Sequence, residues 1–230
     1  MAAELVSLAE VGRDDLVLEI GSGEGIITAE LARAAGYVVA MEVDRRLVQR
    51  LRQRFGPDSA VLVVEGDALR QALPGLSYRV VSNVPFDATT RLLRRLLDPA
   101  SRLERAALIV QWEVARKRVR ERPSTLLGVS WAPWWDMRLV RRLPSAAFRP
   151  SPPVDAGVLL VKRRHEPLLS VADAGGFRLL LAEGFAHGPR RLLSGRESRR
   201  LGLSPRAGAR DLAPEDWVTI FRFLRSRGRA

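Results

Sequence analysis

Between Leu16 and about Gln111, short β-branched runs alternate with stretches whose apolar positions recur every three or four residues, the pattern of a parallel sheet with crossover helices. The first strand is Leu16-Val17-Leu18-Glu19-Ile20. After a glycine-rich turn, Ile27, Leu31 and Ala34 share one helical face. Tyr37 to Val43 reads as the second strand, and Leu47, Val48, Leu51 and Phe55 mark the inner side of a helix whose outer side carries arginine. Ala60 to Val64, Tyr78 to Ser82 and Ala106 to Val110 follow as strands, with Leu92, Leu93, Leu96 and Leu97 on the helix between the last two. Met137 to Leu143 and Ala156 to Lys162 predict two further strands that close the sheet as a hairpin. The stretch between them holds Pro144, Pro150, Pro152 and Pro153 and is too rich in proline for regular structure. The expected architecture is α/β, a Rossmann-like, seven-stranded, mostly parallel sheet.

Beyond Pro167 the strand pattern stops. Phe177 to Phe185, Glu197 to Leu203 and Pro214 to Leu224 read as short helices, the last with Pro214, Glu215 and Asp216 in its first turn and Arg222 and Arg225 toward its end. A boundary near Glu166 divides the chain into residues 1–166 and a small α-helical C-terminal domain, 167–230. The basic tail from Arg222 to Ala230 is expected to fray.

Composition narrows the chemistry. The 230 residues contain no cysteine and two histidines, His165 and His187. Disulfides, thiolate metal sites and cysteine nucleophiles are excluded, and a histidine-based metal site or charge-relay triad has little to draw on. No metal is expected. Neither a leader peptide nor an apolar run of membrane-spanning length is present in the sequence, which reads as cytoplasmic, with no membrane partner, and as a monomer. Lys+Arg number 38 against 26 Asp+Glu, a net charge of +12, and apart from Lys117 and Lys162 every one of those bases is arginine. Such a field draws polyanions, nucleic acid first among them.

Three acids stand at three successive strand ends. Glu19 precedes Gly21-Ser22-Gly23-Glu24-Gly25, a turn that lets the backbone approach a ligand before a helix opens. A dinucleotide fingerprint would need glycine where Ile26 stands, so pyrophosphate is disfavoured. An acid just ahead of the glycines suits the amino-acid part of S-adenosylmethionine instead. Glu42, followed by Val43, ends the second strand, where a carboxylate can accept both ribose hydroxyls, and Asp67 with Ala68 follows the third, within reach of an adenine amine. Singly, each acid is better explained as a helix cap or a solvated loop residue than as a ligand; together they favour a nucleoside-bearing cofactor. Directly after the fourth strand comes Asn83-Val84-Pro85-Phe86. A side-chain amide and a neighbouring carbonyl can hold an exocyclic amine by its two hydrogens, proline fixes the turn, and Phe86 offers a flat face to a base taken out of its stack.

With these residues the chain resembles the ribosomal RNA adenine N6-methyltransferases, the family of erythromycin-resistance and dimethyladenosine transferases. The likeness runs from about Glu4 to Lys162 and takes in Thr89-Thr90-Arg91-Leu92-Leu93, the segment Val110 to Ala115, and Phe148-Arg149-Pro150-Ser151-Pro152-Pro153-Val154-Asp155. It implies a class I methyltransferase fold, S-adenosylmethionine as methyl donor and an adenine of ribosomal RNA as acceptor. By the same likeness, residues 1–166 form the cofactor-binding catalytic domain and 167–230 an RNA-contacting one. Carried over by position, Glu19, Gly21, Ser22, Gly23, Gly25, Glu42, Val43, Asp67, Ala68 and Asn83 bind cofactor, with Glu42 on the ribose and Asp67 on the adenine. Asn83, Val84, Pro85 and Phe86 form the catalytic motif, and Arg190 and Arg191 touch RNA phosphate.

Two departures stand out. Members carry a Gln-Asn-Phe-Leu-type segment that closes over the cofactor; this chain holds none, which implies an upstream start, a different cover or weak cofactor binding. Trp112 replaces a charged residue, and Trp131, Trp134 and Trp135 form an unusual cluster, read as packing in preference to base stacking. Phe86, where housekeeping small-subunit enzymes tend to carry tyrosine, points to the macrolide-resistance branch and 23S RNA over 16S. A DNA adenine methyltransferase, a small-molecule methyltransferase and a non-catalytic RNA-binding member of the fold remain as rival readings.

Overall fold

The computed structural model describes residues 1–57, 59–119 and 124–229. A short helix, α1 (Ala2–Leu8), precedes the first strand. The alternating part then runs β1 (Leu16–Ile20), α2 (Ile26–Ala34), β2 (Tyr37–Glu42), α3 (Arg45–Phe55), β3 (Val61–Glu65), β4 (Tyr78–Asn83), α4 (Thr89–Leu96) and β5 (Leu103–Gln111). Residues 66–77, between β3 and β4, are turns and loop and hold no α-helix. After α5 (Trp112–Val119) and α6 (Leu126–Trp131) come β6 (Trp135–Leu143) and β7 (Ala156–Arg163), then α7 (Ala174–His187), α8 (Gly195–Arg200) and α9 (Pro214–Arg225).

One seven-stranded sheet has the order β3-β2-β1-β4-β5-β7-β6. Pairs β1/β2, β1/β4, β2/β3 and β4/β5 are parallel, while β7 runs antiparallel to β5 with Ile109 opposite Val158. β5 is covered on both faces, which is why Ala106 to Val110 is an unbroken apolar run. Leu31, Val48 and Leu51 from α2 and α3, with Leu5, Val6 and Ala9 near α1, pack on one face of the sheet against Val17, Val38, Val61 and Val81. The order reverses between β1 and β4, so the turns leaving these two strands flank a crevice at the carboxyl edge of the sheet.

The chain divides into two compact units, Met1–Ala115 with Met137–Arg163, and Arg116–Asp136 with Arg164–Ala230. The second unit is therefore discontinuous and takes in a stretch that a single cut near Glu166 leaves with the first. Aromatic packing explains why. Trp131, Trp134 and Trp135 are buried, and Trp134 meets Phe177 of α7 edge-on at 6.2 Å. Phe177 in turn meets Phe221 of α9 at 5.5 Å, and Phe185 stacks on Trp217. These tryptophans are core residues of the helical unit, as the packing reading expects.

The basic tail is a correction to the expected fraying. Arg225 pairs with Asp173, and the guanidinium groups of Arg227 and Arg229 each lie 3.0 Å from the Glu197 carboxylate. Arg229 also donates to the Leu192 carbonyl at 3.0 Å, so the described tail is tied down by acids more than twenty-five residues earlier.

Candidate active site at the carboxyl edge of the sheet

A cavity of about 830 Å³ opens where β1 and β4 part. Glu19, Gly21, Ser22 and Gly23 line one side, Asn83 to Phe86 another, and Phe148, Arg149 and Pro150 come from the loop before β7. Met1, Ala2 and Leu5 of the N-terminal helix region complete the wall.

The two signature turns are built against each other. Gly21 has φ +72°, a left-handed conformation, and a Cβ on it would lie 3.5 Å from the Pro85 ring. Ser82 Oγ donates to the Ile20 carbonyl at 2.6 Å, tying the ends of β4 and β1 together. Val84 N donates to Ile109 O at 3.0 Å, while Pro85 O accepts from Ala88 N and Thr89 Oγ1, which holds the turn into α4. With those backbone groups committed, the exposed Asn83 amide makes no hydrogen bond among the described residues. Phe86 is half-buried against the core and faces the cavity.

Glu19 is 1% exposed, its Oε2 accepting from Thr28 Oγ1 at 2.6 Å. Burial strips its carboxylate of water and pushes its pKa up to about 7, against the opposing hydrogen bonds from Thr28 and Ser22. An acid so placed beside a cavity is the counter-charge expected for a cationic ligand.

The other predicted cofactor residues lie off the cavity wall. Glu42 is buried and braces the glycine turn: Oε2 accepts Gly23 N at 2.9 Å, and Oε1 accepts Val43 N at 2.7 Å and Asp44 N at 2.9 Å. Val43 is 70% exposed. Gly25, at φ +78°, meets α3, since a Cβ there would fall 2.7 Å from Leu51 Cδ2. Asp67 Oδ1 accepts Leu69 N at 2.8 Å and so caps the turn after β3, and the Ala68 carbonyl accepts from Arg95. In the second unit Arg190 Nε donates to Pro205 O at 2.9 Å, and Arg191 stands 3.6 Å from Glu183.

The Phe148-to-Asp155 signature now has a structural reason. Asp155 accepts from Ser145 N at 2.9 Å and from Arg142 Nε at 2.7 Å, and these two partners, the backbone one first, hold its carboxyl below the usual range. The acid staples the proline-rich loop so that Phe148 reaches the cavity. Leu47, Phe148, Arg149 and the α1 wall were not singled out as site residues; only tertiary closure brings them there.

Residues 1–225 match the family described as ribosomal RNA adenine dimethylase. The chain belongs to this family. Among ribosomal RNA adenine dimethylase relatives, the mycinamicin-resistance protein MyrB of Micromonospora griseorubida is 41% identical over 223 residues, covering 92% of this chain and 71% of that one. An rRNA adenine N-6-methyltransferase of Streptomyces fradiae is 35% identical, covering 98% and 75%. The ribosomal RNA small subunit methyltransferase A of a Synechococcus strain is 32% identical, covering 97% and 85%. Among solved structures, the 23S rRNA methyltransferase ErmE superposes with a TM-score of 0.84 at 29% identity, covering 97% of this chain and 96% of that one. The chain is thus a Rossmann-like methyltransferase that uses S-adenosylmethionine, and its cavity fits that group: a buried acid, Glu19, stands at the glycine turn, with Gly21, Ser22 and Gly23 lining the wall beside it. Among the described residues no cluster of His, Cys, Asp and Glu could hold a metal ion, and no helix is long and apolar enough to cross a membrane.

Proposed function

We propose that the protein methylates N6 of an adenine in 23S ribosomal RNA, in the cytoplasm, and thereby confers resistance of the macrolide-lincosamide-streptogramin type. The observation that carries the reading is the Asn83 amide, left without a partner at the cavity wall by a turn held through Val84 N and the Pro85 carbonyl. The likeness to MyrB and to ErmE supports the choice of RNA and of the resistance branch.

When bound, S-adenosylmethionine supplies an electrophilic methyl group on sulfur. Glu19 and the turn from Gly21 to Gly23 hold its amino-acid part. Glu42 retains one lone pair, on Oε2, beyond those its three backbone partners use, enough to accept a ribose hydroxyl. Asp67 lies on the adenine side, and Arg190 and Arg191 meet RNA phosphate. On the acceptor side the Asn83 side-chain oxygen and the Val84 carbonyl accept the two hydrogens of the adenine amine. That leaves the nitrogen lone pair free and aimed, while Phe86 stacks on the everted base. No strong base is required: as the methyl passes to nitrogen the donor would leave as a neutral thioether, and the nitrogen, now cationic and acidic, gives a proton to water. Alignment and fixed dipoles carry the catalysis.

The test is methyl transfer from labelled S-adenosylmethionine to purified large- and small-subunit RNA, followed by primer extension. A stop at an adenine of the peptidyl-transferase loop is the expected result. Label confined to the small-subunit RNA overturns it in favour of the housekeeping reaction, the activity of the 32% identical small-subunit relative.

A further inference from the structure

Charge is divided unevenly around the cavity. Glu19 and Glu24 are the acids of its lining, Glu24 already paired with Arg50 at 3.0 Å and Glu19 suited to a cationic cofactor, and Arg149 is the basic side chain there. Arg149 is exposed, and neither an ion pair nor a hydrogen bond engages it among the described residues. Its neighbours on the same unit are spent on structure: Arg141 holds Glu4 at 2.6 Å, and Arg142 pairs with Asp155 at 2.6 Å while lying over the Trp112 ring. The segment bearing Arg149 is nonetheless stapled in place, by Asp155 at Ser145 and by Ser151 Oγ donating to Ser145 O at 2.9 Å. Phe148, the residue before it, is anchored against the core. A free guanidinium is thus presented from a held loop at the mouth of a cavity whose inner walls are acidic and apolar.

A base that enters such a cavity leaves its phosphodiesters at the mouth, because eversion turns the nucleotide about its backbone without drawing the backbone in. A planar guanidinium can take two oxygens of one phosphate at once. We propose that Arg149 clamps a phosphate flanking the target adenosine and so holds the everted nucleotide over Asn83 and Phe86. This rests on the reading of the protein as an RNA methyltransferase.

The experiment is binding of an RNA hairpin carrying the peptidyl-transferase loop, titrated across a series of KCl concentrations, for the wild-type protein, Arg149→Ala and Arg149→Lys, with S-adenosylmethionine binding measured in parallel. For Arg149→Ala the expected loss of RNA affinity is about tenfold, the size of one charge-assisted hydrogen bond. The dependence of log K on log salt becomes shallower by roughly 0.7, one phosphate contact on a single strand. Arg149→Lys keeps the wild-type salt dependence, cofactor affinity is unchanged, and the kinetic loss falls on KM for RNA. An unchanged salt dependence in Arg149→Ala overturns the proposal, and so does weakened cofactor binding, which would place the guanidinium on the cofactor carboxylate. In either case a wild-type protein that binds and methylates the hairpin leaves the functional reading standing. A wild-type protein that binds cofactor but neither binds nor methylates RNA removes that reading, and the clamp with it.

Discussion

Asn83 carries the heaviest demand of any single side chain. Its amide stays unused while Ser82 Oγ, Val84 N and the Pro85 carbonyl hold the turn around it. Replacing it with alanine removes nothing the fold depends on, so Asn83→Ala is expected to keep the wild-type melting temperature and most of the cofactor affinity while turnover falls on the order of 100-fold or more. Label transfer together with calorimetric titration of the cofactor checks both halves. Glu19 makes a different demand. The native state keeps its proton up to about pH 7, whereas the unfolded chain releases it near the ordinary value of 4.5. Between those values the unfolded chain binds fewer protons than the native state, so Glu19 lowers stability as pH rises, by about 3 kcal/mol once both states are ionised. Two outcomes follow for Glu19→Gln: its melting temperature exceeds that of the wild type by more at pH 8 than at pH 5, and its cofactor affinity loses the pH dependence of the wild type. In the wild type, affinity for the cationic cofactor is expected to rise on the order of tenfold from pH 6 to pH 8 as Glu19 ionises. The place of Asn83 and Glu19 at the cavity was legible in the sequence, because it depends on a strand end and an adjacent turn. Arg149 was not, since its meaning lies in which neighbours are already paired.

At the level of elements, the turn after β1 is held from two sides, by Pro85 against Gly21 and by α3 against Gly25. A methyl group on Gly25 would meet Leu51 and Phe55 in a left-handed backbone, so Gly25→Ala is expected to cost about 2–4 kcal/mol. Denaturant unfolding measures that cost, and the lost cofactor binding should return in part at low temperature, as the displaced α3 relaxes. The sequence pattern places Gly25 with the cofactor, and its contacts make it a packing site for a helix as well. The strands were legible almost to the residue because apolar runs and alternation are local signals. The α1 helix was not, being only seven residues long and stabilised by burying Leu5 and Val6. Nor was the extension of β5 back to Leu103, where Glu104 and Arg105 interrupt the apolar pattern: Glu104 falls at a register shift against β4, while Arg105 pairs with both β4 and β7.

For the whole molecule, the division into units decides how the chain can be cut. A fragment ending at Glu166 retains Trp131, Trp134 and Trp135 but loses Phe177 and Phe221, the rings on which that cluster rests. Such a fragment is expected to bind a hydrophobic dye and to aggregate. A version in which residues 116–136 are replaced by a short polar linker should stay dispersed; equal solubility of the two by light scattering would refute the assignment. Composition announced the positive field, but it could not say which arginines are spent. Arg225, Arg227 and Arg229 read as a loose tail in sequence and are paired in space to Asp173 and Glu197.

The interleaving of the two units also orders events during synthesis. The three tryptophans between residues 131 and 135 leave the ribosomal exit tunnel well before their aromatic partners in α7 and α9. Phe221 follows Trp134 by nearly ninety residues, an interval of several seconds at about 5–20 residues per second. Throughout that interval the sheet can add β6 and β7 and close, while the tryptophan segment between β5 and β6 waits without its cover. The nascent chain therefore passes through a stage with a finished sheet and an exposed aromatic insertion, and that stage, more than the mature protein, is where a holdase chaperone would find its purchase.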